Sequence, residues 1–279
     1  MHTLVTAPNQ FAEVGGRRLA YRRFGAENGV PLLCFQHFRG TMDYWDPQVL
    51  DGLGADRPVI VFDVSGIGLS DGDVPETFEE YADQGAGLLD GLGIAQVDVL
   101  GFSLGGYVAQ AMALNHATRV RKLVLVGTGP RGGTQEGAHP DYPMYATRSE
   151  IPTLDDFLFL FFEPNEQSQA AGRAFWERRH QRTADLDAPT STAVMKAQLA
   201  AMAASRESSD PSFGELRRIS QPTLVVNGDH DVMIPTVNSY TLQQHIPNAQ
   251  LIIYPNAGHA SQYQYPELFV AHARLFLDS

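Results

Sequence analysis

Six short apolar runs punctuate the chain, at residues 31–36, 59–63, 97–101, 123–127, 223–227 and 250–254. They show little polar alternation, the pattern of strands covered on both faces. Helical patterns are expected at 78–92, 104–114, 237–245 and 266–277, mostly between the runs. Buried strands alternating with helices build an open, mostly parallel sheet with helices on both faces, an α/β fold. Upstream, "FAEVGGRRLAYRRFG" reads as two strands about a Gly15-Gly16 turn.

The alternation stops between 128 and about 220. The segment is first rich in Pro and Gly ("GPRGGTQEGAHPDYP"), then helical without a strand run ("LDDFLFLFF", "AAGRAFWERRHQR", "TAVMKAQLAAMAA"). The expected organisation is a core domain of residues 1–128 and 220–279, with 129–219 inserted as a helical cap. Ligands of open α/β sheets lie beyond the carboxyl ends of the strands, so such a cap would roof the site.

A length of 279 residues and 43% hydrophobic composition suit one large core. The net charge of −12 leaves no electrostatic footprint for nucleic acid or an anionic membrane, so neither is an expected partner. "FLFLFF" is far too short to span a bilayer. The start "MHTLVTAPNQ" lacks a basic stretch followed by an apolar one, and the expected compartment is the cytoplasm. The single cysteine, Cys34, cannot form an intrachain disulfide; in "PLLCF" it reads as a buried packing residue. No CxxC, HExxH or P-loop pattern occurs, and "GIGLSDG" opens no long helix, so no metal and no cofactor are expected. Oligomeric state stays open.

The chemistry centres on residues 97–115. "VDVLG" runs into "GFSLGG" and then "YVAQAMALN", so Gly101-Phe102-Ser103-Leu104-Gly105 fits G-x-S-x-G with a strand before and a helix after. Such a turn holds the serine at a strand tip. Small neighbours let it close, and the helix start offers amides to a developing anion. A serine needs a base and an acid to orient that base. "PTLVVNGDHDVMIP" and "LIIYPNAGHASQYQYPELF" supply aspartates and His259 after two further strands, in the order Ser, Asp, His.

The pieces "GFSLGG", "GDHDVMIP", "PNAGH" and "FDVSGIGLSDG" together resemble the α/β-hydrolase superfamily. The likeness is to its capped, serine-nucleophile branch of esterases and cofactor-free haloperoxidase-like proteins, over nearly the whole chain. It implies Ser103 as nucleophile and His259 as base. It implies Asp231 as acid over Asp229, because Asp231 fits G-x-x-D-x-x-x-P with Gly228 and Pro235. Asp63 and Ser70 belong to a segment that is architectural in the family. The implied oxyanion donors are the backbone N–H groups of Leu104 and Phe38. Where members commonly show His-Gly, this chain has Gln36-His37. His37 thus takes a slot that tolerates positive φ and is expected to shape the pocket mouth, with Gln36 making the local hydrogen bonds.

With serine in place of the carboxylate of haloalkane dehalogenases and epoxide hydrolases, the expected reaction is acyl chemistry. The implied activity is cofactor-independent hydrolysis of an ester, lactone or related bond in a small-to-medium, partly apolar molecule. The alternatives are cofactor-free lyase or oxygenase chemistry with His259 as base, perhydrolysis, and ligand binding without turnover. His37 and Trp176 are candidate substrate contacts. "FLFLFF" and Phe175-Trp176 fit either a pocket wall or the core of the cap. Arg173, Arg178, Arg179 and Arg182 are expected on a solvated helix face rather than on a substrate carboxylate.

Overall fold

A computed structural model describes residues 1–207 and 210–279. The six apolar runs and the hairpin form β1 (Gln10–Val14), β2 (Arg17–Gly25), β3 (Leu32–Phe35), β4 (Pro58–Phe62), β5 (Val97–Phe102), β6 (Val120–Val126), β7 (Thr223–Gly228) and β8 (Ala249–Tyr254). They make one sheet in the order β1-β2-β4-β3-β5-β6-β7-β8. β2 is antiparallel to β1 and β4, and every later pairing is parallel. The fold is that of an α/β hydrolase.

Strand side chains alternate between two apolar layers, as a period of two requires. Leu32, Cys34, Leu100, Phe102, Val124 and Val126 face one layer. Leu33, Phe35, Val97, Val99, Leu123 and Leu125 face the other. Helices cover both: α1 (Pro47–Leu53) and α10 (Pro266–Asp278) on the first, α2 (Phe78–Gly91), α3 (Leu104–Asn115) and α8 (Val237–His245) on the second. Cys34 is fully buried, and burial pushes its thiol pKa up. The run at 250–254 departs from expectation. β8 pairs on one side only and is half-exposed, because it is the edge of the sheet.

Sequence patterning did not reveal α1. Its signal is Asp46-Pro47: Asp46 caps the helix by accepting the Gln48 N–H, and Pro47 fits the first turn. Between β6 and β7 lie α4 (Tyr142–Thr147), α5 (Leu154–Phe161), α6 (Glu166–Arg179) and α7 (Thr192–Arg206), with no strand among the described residues. After β8 comes the short α9 (Ser261–Gln264). We take the helical excursion as the cap, over the carboxyl ends of the strands.

The sheet order reverses at β3, which has β4 on one side and β5 on the other. The carboxyl ends of β3 and β5 are therefore neighbours whose connections leave in opposite directions, with Phe35 paired to Gly101. A crevice forms at such a switch point. The loops that enter it are 36–40 and the turn at Ser103.

Candidate active site

Ser103 sits between β5 and α3 at φ 56° and ψ −118°, a conformation that L residues rarely hold. Close packing keeps the turn tight. A Cβ on Gly105 would stand 2.0 Å from the Phe35 carbonyl oxygen, and one on Gly101 2.3 Å from that of Gly105. Only glycine allows α3 to approach β3 this closely.

His259 follows β8 in a buried loop and meets Ser103 across the crevice. Its Nε2 lies 2.8 Å from Ser103 Oγ, and its Nδ1 2.7 Å from Asp231 Oδ2. The other Asp231 oxygen, Oδ1, accepts the N–H groups of Met233 and Ile234, each at 2.9 Å. Those bonds fix the carboxylate, so its remaining oxygen faces the imidazole. All three side chains are buried. Asp229 points elsewhere: its Oδ1 accepts the Ala257 N–H at 3.0 Å and faces His230 Nδ1 at 2.8 Å. Asp63 and Ser70 hold backbone, Asp63 accepting the Met42 N–H and Ser70 bridging the Asp63 carbonyl and the Ala20 N–H.

The loop after β3 is pinned peptide by peptide. Gln36 Oε1 accepts the His37 N–H at 2.8 Å, the hydrogen-bonding part expected of Gln36. Gln198 Oε1, from α7, accepts the Arg39 N–H at 2.8 Å, and the Gly40 N–H donates to the His37 carbonyl. The Phe38 N–H, between them, has no acceptor among the described residues, and neither has that of Leu104. Gln198 gave no sequence signal, since its partner is 159 positions away. Positive φ falls on Arg39, at 61°, and not on His37. The tight turn is two residues further along than the glycine slot implies. It is held because the Arg39 guanidinium binds the carbonyls of Ala146, Ser149 and Glu150.

The His37 ring is buried in a nest of aromatic side chains, Tyr44, Phe102, Phe157 and Phe161, at centroid distances of 5.2–6.1 Å. Its Nδ1 lies 2.8 Å from the Phe38 carbonyl oxygen. A carbonyl only accepts, so Nδ1 carries the proton. Burial pushes the ring pKa down to about 3, with smaller contributions from Arg179 and His259 in the same direction against a raising bond to Phe38. His37 is neutral at physiological pH.

A cavity of about 30 Å³ opens on Ser103, lined by His37, Phe38, Arg39, Tyr44 and Met233 and closed by cap residues that include Phe157, Leu160 and Phe161. That volume suits a water-sized occupant. "FLFLFF" thus divides. Phe157, Leu160 and Phe161 face the cavity, while Leu158 and Phe162 pack on α6 at Gly172. Trp176 does not line the cavity; it packs on Phe157, His180 and the Arg179 guanidinium.

The arginines of α6 and Arg182 just after it correct the expectation of a solvated face. Only Arg173 is exposed. Arg178 binds the buried Asp46 carboxylate through two nitrogens, and Arg182 binds the carbonyls of Val5 and Ala7. Arg179 lies over the rings of Tyr44 and Trp176 at 3.8 and 4.7 Å. The helix is a seam with the core, and the guanidiniums bury their stems in it. Among the described residues no group of three or more His, Cys, Asp or Glu side chains could hold a metal ion, and no helix is long and apolar enough to cross a membrane.

Comparison with known proteins agrees with this fold. An alpha/beta hydrolase protein of Chitinophaga pinensis is 42% identical, with a TM-score of 0.93 and full coverage of both chains. A proline iminopeptidase of Pestalotiopsis fici is 28% identical over 96% of this chain and 99% of its own. A 2-hydroxymuconate semialdehyde hydrolase of Pseudomonas putida is 30% identical over 98% of this chain and 97% of its own. The model of the alpha/beta hydrolase fold matches residues 30–266. On that match and these hydrolase relatives, the chain belongs to the alpha/beta hydrolase fold family.

Proposed function

We propose that the protein is a cofactor-independent serine hydrolase that cleaves an ester, lactone or related acyl bond of a small-molecule substrate through an acyl-enzyme on Ser103. One observation carries the reading. The hydrogen-bonded line from Ser103 Oγ through His259 to Asp231 has distances of 2.8 and 2.7 Å, within reach for proton transfer.

In this mechanism His259 Nδ1–H stays bonded to its proton and donates a hydrogen bond to the Asp231 carboxylate, which leaves a lone pair on Nε2. That lone pair takes the Ser103 proton as Oγ attacks the carbonyl carbon. The carbonyl oxygen gains the negative charge and is held by the N–H groups of Phe38 and Leu104. Each such donor lowers the barrier by about 3 kcal/mol. The imidazolium then protonates the leaving alcohol, and the tetrahedral centre collapses to the acyl-enzyme. Water, deprotonated by His259, attacks in turn and releases the acid.

A panel of activated acyl esters, from acetyl to octanoyl, tests the reading with wild type, Ser103→Ala and His259→Ala. Turnover lost in both variants supports it. Activity that survives Ser103→Ala but vanishes in His259→Ala contradicts it, since His259 would then act as a base without a serine nucleophile.

A further inference from the structure

His37 has a neutral ring with one nitrogen engaged and one left over. Nδ1–H is committed to the Phe38 carbonyl. Nε2 is therefore a lone-pair acceptor, and it is buried without a hydrogen-bond partner among the described residues. An unpaired buried acceptor carries a desolvation cost that persists until a donor arrives. The ring lines the same cavity as Ser103 and Phe38. Its Nδ1 edge faces the loop, and Gly40 stands against Cε1, where a Cβ would come within 3.0 Å. Nε2 is the second ring nitrogen, on the far side of Cε1 from Nδ1. The surrounding rings of Phe102, Phe157 and Phe161 offer it no O–H or N–H, and the fourth ring, Tyr44, carries an O–H that makes no hydrogen bond to it.

We infer that His37 Nε2 is a specificity group that accepts a hydrogen bond from the substrate, and that the preferred substrate carries a hydroxyl or N–H donor close to the scissile carbonyl. This rests on the serine-hydrolase reading and adds the substrate class to it. Phe38 is the next residue in the chain, and its N–H is the proposed cradle of the carbonyl oxygen. Carbonyl and donor are thereby read by adjacent residues of one loop. Burial keeps the acceptor unprotonated across the working pH range, so the preference does not titrate away. The apolar remainder of the wall favours a short, otherwise hydrocarbon group.

The test uses matched esters that differ by one hydroxyl: glycolate against acetate and 3-hydroxybutyrate against butyrate on the acyl side, and a glycol monoester against an ethyl ester on the alcohol side. Wild type is expected to favour the hydroxylated member of at least one pair by roughly tenfold or more in kcat/KM. In His37→Phe that ratio should fall to near one, and in His37→Gln, which keeps an acceptor, it should recover in part. The ratio cancels any common effect of a loosened loop, so a purely structural role for His37 would not move it. Equal turnover within every pair by wild type, or a preference that survives in His37→Phe, overturns the inference and leaves the hydrolase reading standing. No turnover of any member counts against both.

Discussion

Asp231 and Asp229 are two positions apart, yet only one is aimed at the imidazole. Asp231 is turned inward by the N–H groups of Met233 and Ile234, and Asp229 outward by that of Ala257. Asp231→Asn should lower kcat by about 10³–10⁴-fold, because an amide N–H facing Nδ1 selects the wrong tautomer. Asp229→Asn should leave kcat within about threefold; a steady-state assay of the pair separates them, and the reverse ranking would reassign the acid. The choice of Asp231 comes from the resemblance, through the G-x-x-D-x-x-x-P pattern anchored on Gly228 and Pro235. The orientation of His37 was not legible in the sequence. It depends on which carbonyl the ring finds and on aromatic residues from a helix more than a hundred positions away.

At the scale of elements, the site is the meeting of β3, β5 and α3. Gly105 is where α3 touches the end of β3. Gly105→Ala should destabilise the protein by about 1–3 kcal/mol and shift the Phe35–Phe38 backbone, lowering kcat along with the urea midpoint. An unchanged midpoint would mean that the helix moves away without cost. These core elements were legible because buried strands and amphipathic helices are encoded locally. The half-exposed β8 was misread as covered on both faces, since an edge position depends on the order of strands in space. The tight turn at Arg39 was displaced from the expected slot for a similar reason, being fixed by carbonyls of residues 146–150.

The molecule as a whole depends on a charged seam between the helical excursion and the core. Arg178 reaches Asp46, Arg182 reaches the N-terminal segment, and Asp187 meets Arg22, Asp43 and Asp63 below the surface. Sequence patterning placed the arginines in solvent because both surfaces of the seam are amphipathic and neither shows its partner. Burial, and then the Asp43 charge, push the Asp187 carboxyl up to about 6, against the pull of Arg22. A carboxyl raised in the folded state contributes stability below its unfolded value near 4, and that contribution is lost as pH rises towards 6. The urea midpoint of Asp187→Asn, compared with wild type, should therefore improve between pH 4 and pH 6.5; a difference that is flat or declines over this range would contradict the assignment.

The most direct test of the proposed chemistry is mass spectrometry of the intact, folded protein after exposure to a fluorophosphonate. A single stoichiometric adduct should form, map to Ser103, slow strongly in His259→Ala and vanish in Ser103→Ala. Folded wild type that acquires no adduct, or an adduct that persists in Ser103→Ala, would contradict Ser103 as the activated nucleophile.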